Sequence, residues 1–421
     1  WAKAERTDIP TGVLTPQMTP SMRTEEVTSA LTVTPQGNGI NIIDFGQNMA
    51  GWISVVPKGR AGDTIRIRYA EKLNDDGTLY TANLRDARSE DIYVCNGKET
   101  APWTPSFVYH GFRYVEVSGP VDHAPNSFKA YAVGDAMASI GNFTCSDTLL
   151  NRIIENARWG IRSNYKGMPV DCPQRNERQP WLGDRTAGAF GESFLFDNER
   201  LYTKWMRDIC EAQRSDGNIP DVAPSFWNYY TDDVTWPAAL PFICDMLYRQ
   251  YGNLQPMQQS YASIRKWANH IMEEYCKDGI VRRDKYGDWC LPPESLKLIH
   301  SKDSTLQTDG SLIATAYMVR VMQLMGRYAP LAGNPADTVL WKTQRERLTT
   351  RFHEVFLTNR PNTSLSPGHT LYPDSIYYGN NTATANILPL AFGMVPESLR
   401  EEVVKNLVTT TLVRHGGHVS T

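Results

Sequence analysis

From about residue 23 to 137 the chain alternates apolar and polar positions with period two. Thr64-Ile65-Arg66-Ile67-Arg68-Tyr69 and Phe112-Arg113-Tyr114-Val115-Glu116-Val117 are the clearest runs. That spacing sends apolar side chains to one face of a half-buried antiparallel strand. Turn signals such as Lys58-Gly59-Arg60-Ala61-Gly62-Asp63 and Asn74-Asp75-Asp76-Gly77 separate the runs, so residues 23–137 are expected to form a β-sandwich of roughly 110 residues. Residues 1–22, rich in Pro, Thr and Met and without periodicity, read as an extended connector.

Near Asp147 the period changes. Leu150, Ile153/Ile154, Ala157 and Ile161 follow three-to-four spacing, and Tyr261, Ile264, Trp267/Ala268, Ile271 and Tyr275 repeat it. Further helices are expected around 185–214, 234–251, 311–327, 338–355, 381–393 and 398–412, separated by loops carrying Pro, Gly, Trp and Asp. About eight helices in succession, with no strand run between them long enough for a parallel sheet, pack most naturally as an array of α/α hairpins or a toroid over residues 138–421. Eight helices do not close a six-hairpin (α/α) ring. The last residues, His415-Gly416-Gly417-His418-Val419-Ser420-Thr421, carry no evident end, so the toroid is expected to be incomplete.

The composition narrows the function. A chain of 421 residues, 41% apolar and 21% charged, is long enough for roughly two to four domains. With 43 basic against 46 acidic residues and no basic run, nothing attracts nucleic acid or an anionic membrane. No apolar stretch approaches the roughly 18–20 residues of a membrane span, and no secretion signal opens the chain. Seven scattered cysteines without CxxC or His-Cys spacing indicate neither a zinc site nor a disulfide framework. Eleven Trp and 20 Tyr supply flat faces of the kind that stack on the C–H faces of sugar rings, although many must serve in packing.

The chemistry concentrates in three loops. Asp171-Cys172-Pro173-Gln174-Arg175-Asn176-Glu177-Arg178-Gln179-Pro180-Trp181-Leu182-Gly183-Asp184 packs three carboxylates, two guanidiniums and an indole between positions where proline forbids a continuous helix. Glycoside hydrolysis generally needs one protonated and one ionised carboxyl, and Glu177 is the candidate proton donor. Asp171 and Asp184 would raise its proton affinity and Arg175 and Arg178 oppose that, a contest the sequence leaves open. The bland reading is a salt-bridged loop that caps the helix starting near Trp181. Asp221 through Pro237, which includes Asp232, Asp233 and Trp236, and Tyr286-Gly287-Asp288-Trp289-Cys290-Leu291-Pro292-Pro293-Glu294 mix aromatics with carboxylates before further helices. In a toroid all three loops open at one end. The alternative is that Asp232 and Asp288 cap helices while the tryptophans wedge loops. Asp44-Phe45-Gly46 lacks the glycine-rich loop and His-Arg-Asp segment of a kinase. The sequons at Asn142 and Asn362 are too short to weigh, and Tyr109, His110 and Arg113 read as structural.

The residues resemble a known family. Asp44-Phe45-Gly46-Gln47-Asn48 with Gly51-Trp52, Tyr69-Ala70-Glu71-Lys72-Leu73 and Tyr109-His110-Gly111-Phe112-Arg113-Tyr114 resemble the β-domain signatures of family 78 glycoside hydrolases, the bacterial α-L-rhamnosidases. The loop from Asp171 to Asp184, Gly287-Asp288-Trp289 and Leu390-Ala391-Phe392-Gly393 resemble its helical domain. The resemblance implies an inverting hydrolase of terminal α-L-rhamnose with no cofactor and no metal. It also implies Glu177 as general acid and Asp171, Arg175, Trp181 and Asp184 around the sugar, with Trp236 and Trp289 as walls of the subsite; Asp233 and Asp288, in the loops that mix aromatics with carboxylates, are further candidate sugar contacts. The family usually has Asp where Asn176 stands and a Leu-Gly-like pair where Gln179-Pro180 stands, a departure that bears on the exact sugar or linkage. Its general base is a Glu downstream of the segment that Gly417–Thr421 resembles, so negligible hydrolysis is expected of a molecule ending at Thr421; Asp233 and Glu294 are the fallback bases within the chain. Expected partners are a rhamnose-containing glycan or glycoside and, at most, a second copy of the chain as a homodimer, in a secreted or periplasmic setting. The competing readings are another α/α-toroid glycosidase or polysaccharide lyase, and a carbohydrate-binding relative without chemistry.

Overall fold

A computed structural model describes residues 2–8, 12–98, 101–288, 290–291, 301–358, 376–414 and 417. The period-two segment forms nine strands: β1 (Met22–Ser29), β2 (Thr32–Gly37), β3 (Ile40–Ser54), β4 (Thr64–Ala70), β5 (Lys72–Leu73), β6 (Leu79–Tyr80), β7 (Glu90–Val94), β8 (His110–Ser118) and β9 (Lys129–Asp135). In β4, Ile65, Ile67 and Tyr69 are fully buried while Thr64 and Arg66 face water, as the alternation requires. Seven strands form one antiparallel sheet in the order β1-β9-β3-β8-β4-β7, with β2 on β3. β3 makes the architecture: its first residues pair with β2 and β8, and its last four with β9. Between these sections the register shifts around Gly46, whose φ of 74° suits a residue without Cβ. The sheet thereby curls around one core that includes Ile43, Phe45, Ile53, Ile67, Phe112 and Val115. The sandwich expected from the alternation is one continuous sheet plus the small β5–β6 hairpin.

Nine helices follow among the described residues: α1 (Thr148–Ser163), α2 (Leu182–Glu192), α3 (Glu199–Glu211), α4 (Ala239–Tyr251), α5 (Gln255–Tyr275), α6 (Gly310–Tyr328), α7 (Asp337–Phe356), α8 (Ala383–Ala391) and α9 (Glu397–Arg414). The expected single helix over 185–214 is two. Tertiary bonds break it: the Asp197 N–H donates to the Ala138 carbonyl, and buried Asn198 donates to the Tyr165 hydroxyl and accepts from that of Tyr251. Short antiparallel strand pairs, Cys276–Lys277 with Ile280–Val281 and Leu357–Thr358 with Tyr377–Tyr378, lie between the helices.

Helices α2, α4, α6 and α8 pack side by side in succession, while α3, α5, α7 and α9 pack outside them. Burial follows this division. α6 buries residues around most of its circumference, from Leu312 to Tyr328, whereas α7 buries only the stripe Trp341, Leu348, Phe352 and Phe356. α1 instead packs against β3 and β9, with Trp159 against the sheet core. Because inner and outer helices alternate in direction, all inner helices run the same way. The loops that precede them therefore open at one end of the array.

Candidate active site

The loop before α2 is closed on itself. The Gln179 N–H donates to the Asp171 carboxylate at 2.7 Å and the Asp171 N–H to the Gln179 carbonyl at 2.9 Å. Its base is tied to the inner helix, where Arg185 donates to the Val170 carbonyl at 2.7 Å and to Glu192 at 2.6 Å. The hydroxyls of Tyr165 and Tyr202 donate to the other Glu192 oxygen, so both oxygens of this buried carboxylate are engaged, while the Arg185 Nε–H has no partner among the described residues. Glu177 stands at the tip with 11% of its side chain exposed. Its Oε1 accepts the Trp181 indole N–H at 3.0 Å. Its Oε2 accepts from Arg175 Nε and from Arg85 Nη1, each at 2.9 Å. Arg178, one of the two arginines expected beside the acid, turns away in a left-handed backbone (φ 55°) and lays its guanidinium 4.4 Å from the centre of the Tyr109 ring.

The three loops converge as expected. Tyr286 stacks on Trp236 at 4.3 Å, meets the edge of Trp181 at 6.0 Å and donates its hydroxyl to Asp221 at 2.7 Å. Trp181 also contacts Trp227 and Tyr229 at 6.2 and 5.8 Å, giving an aromatic wall beside the Glu177 carboxylate. α2 begins without Cβ at its second residue because the Trp236 indole lies where the Cβ of Gly183 would stand. The Trp236 indole N–H has no partner among the described residues.

Two carboxylates expected as sugar contacts accept hydrogen bonds from the loops and from α8. Asp233 is fully buried and accepts from the Thr235 hydroxyl, the Trp236 N–H and the Lys285 N–H at 2.7, 2.8 and 2.7 Å. Asp288 accepts from the hydroxyls of Thr308 and Thr384 at 2.6 and 3.1 Å, which joins its loop to the start of α8. Bonded to loop donors and turned inside, both fix the positions of the aromatic wall, and Asp233 is fully buried where Glu177 keeps 11% of its side chain exposed. Asp232 does not cap a helix; it accepts from His270 at 2.8 Å, depending on that ring's tautomer, and from the Tyr275 hydroxyl at 2.6 Å. Trp289, Glu294 and the residues from His418 onward lie outside the described residues.

Burial dominates the electrostatics. It pushes Asp171 up to about 6, with Glu177 and Asp184 adding repulsion and the Gln179 N–H opposing. Asp221 is likewise raised to about 6 by burial, against its Tyr286 and Thr231 bonds. Asp184, in the first turn of α2, reaches water yet is crowded by protein; that crowding raises its carboxyl, with Arg185 opposing and Glu177 reinforcing. Asp284 is pushed up to about 8 by burial and by the neighbouring Asp233 carboxylate, with which it shares a hydrogen bond. Asp171, Cys172 and Glu177 bring three potential ligand atoms within 4.8 Å of one another. The guanidiniums already occupy Glu177, and burial raises the Cys172 thiol to about 11, so the donor set suits hydrogen bonding better than a cation. Arg85 is a site residue that sequence reasoning missed, and Tyr286, though in a loop it singled out, was given no role. Arg85 is 92 positions from Glu177, with no local signal joining them.

Residues 138–421 match the family profile described as the bacterial alpha-L-rhamnosidase 6 hairpin glycosidase domain, and residues 35–134 that of the bacterial alpha-L-rhamnosidase concanavalin-like domain. An alpha-L-rhamnosidase of Streptomyces avermitilis is 32% identical over 403 residues, covering 95% of this chain and 36% of that protein. The structure of alpha-L-rhamnosidase from Dictyoglumus thermophilum superposes with a TM-score of 0.85 at 32% identity, over 96% of this chain and 43% of that one. The Streptomyces avermitilis enzyme complexed with L-rhamnose gives 0.84 at 30% identity, over 96% and 36%. The chain spans somewhat more than a third of the length of the curated relatives it matches. Among the described residues no helix is long and apolar enough to cross a membrane.

Proposed function

We propose, from the premise that this chain belongs to the bacterial α-L-rhamnosidase family, glycoside hydrolase family 78, that it removes terminal α-L-rhamnose from glycans or glycosides with inversion at the anomeric carbon. The observation that carries this is the Glu177 carboxyl, held at 3.0 Å from the Trp181 indole N–H beside an aromatic wall built by three converging loops. In the reaction Glu177 delivers its proton to the glycosidic oxygen as the bond to the sugar breaks. Asp171, Arg175 and Asp184 orient the sugar and the acid, while Trp181, Trp236 and Tyr286 offer apolar faces to its C–H groups. The activating base is the family's downstream glutamate, and the acid–base separation expected for inversion is roughly 6.5–9.5 Å, room for a water.

The rhamnose-complexed relative favours a rhamnoside over the substrates of other toroid glycosidases. Incubation of the complete natural protein with aryl α-L-rhamnoside and a panel of other aryl glycosides tests the reading. Release from the rhamnoside alone, with β-L-rhamnose as the first product seen by proton NMR, supports it; retention of configuration or preference for another sugar contradicts it. Glycan substrates of this kind favour a secreted or periplasmic protein, which fractionation of the producing cells decides, and sedimentation decides whether it forms the expected homodimer.

A further inference from the structure

The β-domain motifs have no part in the chemistry so far, yet they converge on one arginine. Asn48, from the Asp44–Asn48 motif, donates to Glu71 Oε1 at 3.0 Å, and Glu71, from the Tyr69–Leu73 motif, accepts from Asn83 on its other oxygen at 3.1 Å. Asn83 lies in the short 3-10 turn Ala82–Leu84, immediately before Arg85. Arg85 adopts a left-handed backbone (φ 56°), a conformation that costs a non-glycine residue energy and persists only when its surroundings demand it. From there its guanidinium crosses to Glu177 Oε2 at 2.9 Å, while the next residue, Asp86, accepts from Asn176 at 3.2 Å. The approach is close elsewhere too: a Cβ on Gly111 of β8 would come within 2.6 Å of the Gln174 Cβ.

We propose that Arg85 is a positioning residue for the general acid, supplied by the β-domain to the helical domain. The inference rests on the reading of Glu177 as that acid. Arg85 shares Oε2 with Arg175, and the pair fixes the carboxyl so that its other oxygen meets Trp181. The Arg85 side chain is 53% exposed, against 31% for Arg175, so of the two guanidiniums on Oε2 it is the one more open to solvent. Its role is to hold the orientation of the carboxyl from which the proton leaves. The β-domain is in this way part of the catalytic unit.

The test uses the complete natural protein and rhamnosides that differ only in leaving group, because proton donation matters greatly for a poor leaving group and little for dinitrophenolate. Arg85→Ala should lower kcat/KM about 10-fold or more on an alkyl or glycosyl α-L-rhamnoside but change the dinitrophenyl substrate far less. Arg85→Lys should restore part of the loss by keeping the charge without the planar fork. An equal loss on every leaving group, or no loss at all, overturns the inference and leaves Arg85 a domain staple. Glu177→Gln is measured alongside. If its own loss is independent of the leaving group, both readings fall; if only Arg85→Ala lacks that dependence, only this inference falls.

Discussion

The Tyr286 hydroxyl donates to Asp221 at 2.7 Å while its ring stacks on Trp236 at 4.3 Å, so one side chain fastens the loop before α4 to the loop before α6. Asp221 is fully buried and has Thr231 as its other side-chain donor. Tyr286→Phe keeps the stacking but leaves a buried carboxylate oxygen short of a donor, a cost of about 1–3 kcal/mol. Urea unfolding should show that loss, and KM for the aryl rhamnoside should rise more than kcat falls.

Gly183 has a steric role. Ala in its place would be the better helix former, but its Cβ meets the Trp236 indole. Gly183→Ala should therefore retain the far-ultraviolet circular dichroism of the natural protein and lose about 10-fold or more in kcat/KM through a displaced Trp236. Undiminished activity would remove Trp236 from the sugar-binding wall.

Much of this arrangement is legible in the sequence because it is local. The alternation in β4 and the stripe on α5 mark which faces are buried, and the density of charge and aromatics marks the three loops that converge. What was not legible depends on distant contacts. The break at 193–198 comes from bonds to Ala138, Tyr165 and Tyr251. Arg178 sits next to Glu177 in sequence but prefers the Tyr109 face, while Arg85 arrives from another domain. Asp233 has two donors in its own loop, but its bond to the Lys285 N–H and the Asp288 bonds to Thr308 and Thr384 come from segments distant in the chain, which a line of letters does not show.

The Asp233–Asp284 pair predicts a pH-dependent stability. Folded Asp284 holds its proton up to about 8, whereas in the unfolded chain it releases it near the ordinary carboxyl value of 3.8. The folded form then binds more protons between these limits, so this contribution is full below about 4 and is lost as pH rises toward 8. The melting temperature should fall across that window, and Asp284→Asn should flatten the slope.

Glu192 neutralises the buried Arg185 and accepts the Tyr165 and Tyr202 hydroxyls. Glu192→Ala leaves that guanidinium uncompensated and should cost about 3–5 kcal/mol by denaturant titration. Because Arg185 also holds Val170, the variant should lose activity at temperatures where it remains folded.

The assignment of Glu177 is tested most directly by kcat for an alkyl α-L-rhamnoside in Glu177→Gln of the complete natural protein, with L-rhamnose binding followed calorimetrically. Acid catalysis predicts a fall of about 10²–10⁴-fold in turnover with rhamnose affinity largely kept. Unchanged turnover would contradict it.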